Sequence, residues 1–427
     1  MSIVILQEKL LGYASFLYLV CTALYILYLG KRSEKIGVIA TSLGLVGCVI
    51  HTLGLALRWW AAGIEHPPFT DLYESLVFFG WGIVAFYLYM EWRHKVRIAG
   101  AFVFPVALAA MGIAVTHQKD IMPLPDALKS WWLHIHVIFA SIAYAAFVVS
   151  FAFSLMYIIK DKTRREVLGA VSASLAGLSL FAVMARNGMR NLAVFAMKEA
   201  VQHQGRIMPV RISQSDYAYQ TIPYVGPIFL VAVIAIFLSA LFYIIRIYKA
   251  ERLIEQFAGA SLAVGFALVA VGLASIFYSS AIMENVSVRV EPFLISLLFF
   301  IMLVMGGMTM FHYLGDQITE RLPDVEKLDF LGYRSVMVAF PLMTIVIVTG
   351  AVWAQSAWGR YWGWDPKETA SFVTWLVYAL YLHSRIVAGW KGKPAALISI
   401  IGFFSVIFTY LGVNVFLSGL HSYASSF

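Results

Sequence analysis

The sequence predicts an all-α fold, a polytopic transmembrane helix bundle of about 12 spans. Of its 427 residues, 61% are hydrophobic and 13% are charged, and the mean hydropathy is +0.81. A soluble globular domain needs more polar surface than this composition supplies. The chain also contains many apolar runs that reach the ~20 residues needed to cross a bilayer. It is therefore expected to be a multi-pass membrane protein.

Eleven of these apolar runs are clear and one is weaker. The clear runs begin near Leu10, Ile36, Leu72, Ile98, Leu133, Ile222, Phe257, Phe293, Ser335, Thr369 and Ala395. The weaker run, Val167 to Ala185, is rich in glycine, alanine and serine. We count it as a span.

Lysine and arginine concentrate in five connections between these runs, at residues 31–35, 93–97, 160–165, 246–252 and 385–393. The positive-inside rule assigns such connections to the cytoplasmic side. Alternation of spans then puts both termini on the outer side, together with residues 358–368. The stretch from Arg186 to Thr221 carries five basic residues, although alternation also places it outside. Either it is an external loop, or the Val167 run does not cross the membrane.

The charge and cysteine content exclude several functions. The net charge of +8 is explained by topology-determining residues, so no nucleic-acid partner is expected. Cys21 and Cys48 stand singly, and the chain has neither a CxxC redox motif nor a CxxCH haem-attachment motif. The N-terminus lacks the basic start and cleavage site of a secretory signal, so the run from Leu10 to Leu29 is expected to be a retained span.

Residues 358–368, here called the tryptophan loop, carry three tryptophans within seven residues: Trp358, Trp362 and Trp364. Such a surface suits a large flat apolar ligand, because aromatic stacking and burial supply affinity. The alternative is an aromatic belt at the bilayer interface, which needs no fixed spacing. The loop ends in Asp365-Pro366-Lys367-Glu368, which favours a helix start with Asp365 as the cap.

Four of the ten histidines have informative positions. His136 and His421 are expected at the outer surface, whereas His383 and His51 lie within or near the ends of spans. Ionisable groups at membrane depth often mark ligand or ion sites, and neutral imidazole is an axial ligand of haem iron. Two outer histidines beside the tryptophan loop could hold a haem from both sides. Residue identity alone does not separate His134 from His136, and a lone histidine can equally serve helix packing.

The tryptophan loop resembles the WWD signature of haem-handling membrane proteins, specifically the CcsA (ResC) family of system II cytochrome c biogenesis. Supporting matches lie on both sides of the loop and in the first external loop. They are Leu328–Arg334, Gly350–Ala354, Trp375, Tyr381–Arg385, Gly412–Tyr423, Arg58-Trp59, Glu65–Pro67, Asp71–Ser75 and the helix Leu133–Tyr144. The resemblance covers roughly residues 59–159 and 328–427. The family places its first external histidine eight residues before a tyrosine, which selects His136 because Tyr144 follows.

The resemblance implies transport and presentation of haem b, and its covalent attachment to CxxCH motifs of apocytochrome c on the outer face of a bacterial inner membrane. His136 and His421 would be the external axial ligands of the haem iron, and His383 the transmembrane ligand. Trp358, Trp362, Trp364 and Asp365 would contact the haem, with Lys367 and Arg360 as candidates for its propionates. The chain would act as part of a haem lyase complex with a CcsB (ResB)-type membrane protein.

Compared with compact family members, the chain is expected to contain an insertion. Residues 1–162 and 328–427 would hold the eight family-like spans, and residues 163–327 about four extra ones. The role of the extra spans is open, as is the second transmembrane ligand, for which His51 and a partner residue are candidates.

Two other classes of function stay open at this point. One is a haem exporter or chaperone without lyase chemistry, and the other is a b-type electron-transfer subunit. The electron-transfer class would need histidine pairs facing each other within spans, whereas the best candidates here are expected at the outer surface. A solute transporter is less favoured, because no paired broken helices or inverted repeats are evident.

Overall fold

The computed structural model describes residues 3–31, 33–63, 65–115, 121, 124, 128–161, 165–186, 194–197, 202–203, 206–207, 218–221, 225–249, 251–282 and 292–413. The chain divides into two compact units. The first comprises residues 1–162 and 316–427, and the second comprises residues 163–315.

The described residues of the first unit form eight helices and the end of a ninth. They are α1 (Ile3–Lys31), α2 (Glu34–Ala62), α3 (Leu72–His94), α4 (Gly100–Val115), α5 (Trp131–Lys160), α10 (Val325–Trp358), α11 (Pro366–Ile386) and α12 (Lys393–Ile407). A 3₁₀ turn, Arg97–Ala99, precedes α4, and a π-helical turn, Phe408–Gly412, follows α12. The ninth helix, α9 (Pro292–Arg321), ends in this unit.

The second unit contains α6 (Arg165–Arg186), α7 (Val225–Tyr248), α8 (Arg252–Ile282) and most of α9. Where the structure describes the chain between α6 and α7, it forms two short antiparallel strand pairs. β1 (Val194–Met197) pairs with β4 (Ala218–Thr221), and β2 (Gln202–His203) pairs with β3 (Arg206–Ile207). They fall within the basic stretch from Arg186 to Thr221, whose side of the membrane stays a prediction.

Nine helices in the described part of the chain are long and apolar enough to cross a membrane. They are α1, α2, α3, α4 with its 3₁₀ turn, α5, α7, α8, α10, and α12 with its π turn. The predicted all-α polytopic bundle is thereby confirmed. The count of about 12 spans and the outer placement of both termini stay predictions.

Helix α5 is the central helix of the first unit, because it is buried along most of its length between α3, α10 and α12. The Phe147 ring stacks on Tyr378 of α11 with centroids 3.6 Å apart. The Ser150 hydroxyl donates to the Gly332 carbonyl of α10 at 3.1 Å and lies 3.0 Å from the Ser399 hydroxyl of α12. Apolar and polar contacts together therefore fix the helices that surround the tryptophan loop.

The connection between α2 and α3 is held by a buried ion pair. The Arg58 Nε lies 2.7 Å from Glu74 Oε1, and both side chains are almost completely removed from solvent. The other carboxylate oxygen of Glu74 accepts from the backbone N–H and the hydroxyl of Thr70, at 2.9 and 2.8 Å. The first turn of α3 is therefore tied to the end of α2 and to the loop between them.

Candidate functional site

The tryptophan loop begins with a sharp change of chain direction at the end of α10. Gly359 follows Trp358 and adopts a left-handed conformation with φ of +72°. Its N–H donates to the Gln355 carbonyl at 3.0 Å, which closes the last helical turn. Glycine favours this position because it has no Cβ to oppose the left-handed backbone.

The loop ends at a capping box that starts α11. The Asp365 carboxylate accepts from the Lys367 N–H at 3.0 Å, while Glu368 Oε2 accepts from the Asp365 N–H at 3.1 Å. Pro366 occupies the first helical turn, where the missing N–H costs nothing. The predicted helix start, with Asp365 as its cap, is confirmed.

Trp364 is held in an unfavourable backbone conformation with its side chain outward. Its φ is +55°, which is unusual for a bulky residue, and 68% of its surface is exposed. Glu368 Oε2 also accepts from the Gly363 N–H at 2.8 Å, so one carboxylate binds the backbone on both sides of Trp364. Strained conformations of this kind occur mainly at functional sites.

The three tryptophans of the loop have different surroundings. Trp362 lines a cavity and meets Trp364 edge-on, with ring centroids 5.8 Å apart. Trp358 instead packs against Trp353, at 5.0 Å, in a cluster with Leu128 and Leu133. Of the three, only Trp362 is among the described residues that line the cavity. A haem platform made by all three stays a prediction.

The cavity, of about 190 Å³, lies in the first unit beside the tryptophan loop. Its walls come from the start of α3, one face of α5, the second half of α10, the start of α11 and the π turn. The lining residues on α5 are Leu133, His136, Val137, Ala140, Ser141 and Tyr144. A mostly apolar pocket with a few polar groups is the usual form of a small-molecule site.

His136 is the cavity residue best suited to bind a metal. Its Nδ1 lies 2.9 Å from the Val346 carbonyl oxygen of α10. Because a carbonyl can only accept, Nδ1 carries the proton and the Nε2 lone pair is retained. Metal-binding histidines commonly use this arrangement, since the hydrogen bond fixes both tautomer and ring orientation. The ring lies 6.1 Å from that of Trp353.

His134 lies on a different side of α5. Two residues along a helix correspond to a rotation of about 200°, and His134 is buried against Phe69 and Trp131. Its Nδ1 contacts the Ser130 carbonyl of the preceding turn at 3.0 Å. Of the two histidines, His136 alone is among the cavity-lining residues described.

The start of α3 and the π turn contribute polar groups to the cavity that His136 lines. The Tyr410 hydroxyl donates to Ser75 Oγ at 2.9 Å, and the Tyr410 ring meets Tyr144 at 6.2 Å. Asp71, the N-cap of α3, also lines the cavity. Burial and the nearby negative charge of Glu74 raise the pKa of Asp71 above that of an ordinary aspartate. Sequence reasoning assigned no role to Tyr410, and only tertiary contacts reveal it.

Lys367 supplies a cation to the cavity. It precedes the span predicted from Thr369 and so lies in the tryptophan loop. Burial lowers the pKa of Lys367 to about 8, against the opposing effect of the Asp365 carboxylate. The ammonium group is therefore mostly charged at neutral pH and poorly hydrated, which favours pairing with a carboxylate of a bound ligand.

The other predicted haem ligands lie elsewhere. His383 is exposed in the last turn of α11, about 25 Å along the helix from Pro366. His51 is completely buried, and its Nδ1 lies 3.1 Å from the Tyr18 hydroxyl. His421 lies outside the described residues. Their roles as ligands stay predictions.

Comparison with known proteins identifies the family. The model of the Cytochrome C assembly protein family matches residues 69–421. The chain is 31% identical over 431 residues to the cytochrome c biogenesis protein CcsA of Picosynechococcus sp., and 32% identical over 432 residues to that of Trichormus variabilis. It is 28% identical over 429 residues to the CcsA of Pyropia yezoensis. Each alignment covers 99% of both chains.

These alignments extend through residues 163–327, so that segment has a counterpart in each of these three relatives. The resemblance seen around the tryptophan loop therefore holds over the full length. The chain belongs to the cytochrome c assembly protein family and, within it, to the CcsA proteins.

Proposed function

We propose that this protein presents haem b, carried across the membrane, and attaches it to CxxCH motifs of apocytochrome c, as the CcsA component of a system II cytochrome c synthase. The observation that carries the proposal is the cavity itself. It combines the His136 imidazole, whose Nδ1 hydrogen bond fixes the tautomer, with the indole of Trp362 and the cation of Lys367. Iron, porphyrin and propionate each find a matching group in it.

The covalent step requires positioning of the haem and of the two thiols. Each cysteine S–H adds across one vinyl group, so that a C–S bond forms, the vinyl double bond becomes single, and the thiol hydrogen ends on the other vinyl carbon. The addition involves no net oxidation or reduction. The protein's contribution is to hold haem in a fixed orientation at an accessible surface, which removes most of the entropic barrier to reaction.

Each predicted residue has a distinct role in this proposal. His136 and His421 are the axial ligands at the outer site, and Lys367 binds a propionate. Trp362 packs on the porphyrin with Trp364 at its edge, and Trp358 anchors the start of the loop against Trp353. Asp365 acts on the haem through the loop conformation that its cap fixes. Three hydrogen bonds to backbone N–H groups give that conformation the stability it requires.

The remaining assignments concern the membrane and the partner. We assign the protein to a bacterial inner membrane, with the tryptophan loop on the periplasmic side and a CcsB-type protein beside it. His383, about 25 Å from the start of α11, would bind haem earlier on its route, with a second ligand from His51 or from the partner. The exposed position of His383 favours the partner over the buried His51. Residues 163–327 form the part without an assigned role.

The first test is the absorption spectrum of the detergent-purified protein, co-expressed with its CcsB-type partner. We expect His136→Ala and His421→Ala each to weaken the reduced b-type spectrum, and added imidazole to restore it, because imidazole can replace the missing ligand. His134→Ala is the matched control, since it changes a histidine two residues away that lies outside the cavity. It should keep its haem per folded molecule.

Two results would contradict this proposal. A wild-type protein that carries no haem would contradict the proposal that it delivers haem. Haem that persists unchanged in both the His136 and the His421 variants would place the ligands within the spans and favour an electron-transfer subunit.

The pH dependence of haem affinity tests the role of Lys367. With a pKa of about 8, Lys367 loses its charge as the pH rises above 8, so haem affinity is expected to fall by up to about tenfold per pH unit there. In Lys367→Arg this fall in affinity above pH 8 should be absent, because arginine remains charged. In Lys367→Gln the affinity should be lower, and the fall above pH 8 should also be absent. A wild-type affinity that is equal at pH 7 and pH 9.5 would count against propionate binding by this residue.

A further inference from the structure

The imidazole of His136 rests directly on the backbone of α10 at one glycine. A Cβ atom added to Gly350 would lie 2.8 Å from Cε1 and 2.9 Å from Nδ1 of the His136 ring. Carbon atoms in favourable contact are about 3.5–4.0 Å apart, so even an alanine does not fit without moving the ring. The Nε2 atom is farther away, at 3.9 Å. The ring therefore presents its Nδ1–Cε1 edge to α10 and its Nε2 away from it.

The hydrogen-bond acceptor of this ring is part of the same helical turn. In an α-helix the N–H of residue 350 bonds to the carbonyl of residue 346, and a carbonyl oxygen has a second lone pair. The His136 Nδ1 approaches that oxygen of Val346 at 2.9 Å. Trp353, seven residues after Val346, lies on the same face of α10, and its ring centroid is 6.1 Å from that of His136.

We propose that Gly350 is a positioning residue for haem binding. The missing Cβ lets the His136 ring reach the Val346 carbonyl, and that contact fixes the tautomer and the direction of Nε2. This inference rests on the proposed function, in which Nε2 binds the haem iron. Gly350 itself touches neither haem nor substrate in this account. Its role is to leave the space that the His136 ring needs.

Gly350→Ala tests this proposal against Gly332→Ala in the same helix. A Cβ at Gly332 meets its nearest atom, Ser154 Oγ, at 3.6 Å, an ordinary contact distance. We expect Gly350→Ala to reduce haem affinity about 10- to 100-fold, as loss of the group that orients a metal-binding histidine does. The remaining haem should shift from a low-spin to a high-spin spectrum. Gly332→Ala should bind haem with wild-type affinity and an unchanged spectrum.

Comparison with His136→Ala distinguishes a failure of the positioning role of Gly350 from a failure of the proposed function. If His136→Ala loses haem and Gly350→Ala keeps wild-type affinity and spectrum, the positioning role is wrong and the proposed function stands. If neither variant changes haem binding, the proposed function itself fails.

If Gly350→Ala folds poorly, a double-mutant cycle on the melting temperature of the haem-free protein tests the proposal instead. The clash with the His136 ring predicts that Gly350→Ala lowers the melting temperature of the wild-type protein. The same substitution should have no such effect in the His136→Ala background, where the ring is absent. An equal loss of melting temperature in both backgrounds would overturn the proposal.

Discussion

Replacing Glu74 by alanine is expected to lower the free energy of unfolding by about 3–5 kcal/mol, because it leaves the buried Arg58 guanidinium without its counter-charge. The exposed fractions of the two side chains are 1% for Arg58 and 0% for Glu74. The substitution also removes the acceptor of the Thr70 N–H and hydroxyl. Unfolding by SDS in mixed detergent micelles, followed by circular dichroism, measures the effect.

Glu34→Ala is the matched control for this prediction. Glu34 also pairs with an arginine, Arg97, at 2.7 Å, but 75% of the Glu34 side chain is exposed. Exposed ion pairs contribute about 0–1 kcal/mol, so this variant should unfold nearly as the wild type does. Equal losses in Glu34→Ala and Glu74→Ala would show that burial of the Arg58–Glu74 pair has no special importance.

The buried ion pair also connects stability with the cavity. The Glu74 side chain accepts from the N–H and the hydroxyl of Thr70, and Glu74→Ala removes both contacts. Thr70 lines the cavity together with Asp71 and Ser75. Glu74→Ala should therefore disturb haem binding as well as stability, whereas Glu34→Ala should disturb neither.

The helices could be predicted from hydrophobic runs, but their ends could not. The run near Ser335 corresponds to α10, which begins ten residues earlier, at Val325. Hydropathy detects only the part of a helix that the bilayer surrounds, whereas the helix itself continues until Asp324, its N-cap. At α11 the limits were clearer, because Asp365 and Pro366 are local start signals that act within one turn.

Within the site, features set by local sequence were predictable and those set by distant contacts were not. The cap at Asp365 depends on residues within three positions. The cavity position of His136, in contrast, depends on which face of α5 meets α10, and its partner Val346 is 210 residues away. Tyr410 meets Ser75 across 335 residues. No periodicity in a single sequence encodes such a pairing.

A second large loss of stability is expected from Asp329→Ala, about 3 kcal/mol. Asp329 accepts from Arg385 Nη1 at 2.8 Å, from Arg385 Nη2, and from the Gly392 N–H at 2.9 Å. The Arg385 guanidinium also lies 4.5 Å from the centroid of the Tyr333 ring. One carboxylate thus joins α10, the end of α11 and the connection to α12, and its loss leaves a largely buried guanidinium unpaired.

The planar, two-pronged geometry of this pair predicts that Arg385→Lys is not a neutral change, because lysine cannot reproduce two parallel hydrogen bonds. A double-mutant cycle with Asp329→Ala and Arg385→Ala should give a coupling energy above about 1 kcal/mol, since the two groups form one network. A coupling below about 1 kcal/mol, the range of exposed pairs, would show that Asp329 and Arg385 do not form such a network. His383 lies two residues before Arg385, so loss of the Arg385–Asp329 pair should also destabilise the end of α11 that carries this histidine. Asp329→Ala should then weaken haem binding at His383, whereas the haem affinity of the outer cavity around His136 should be unchanged.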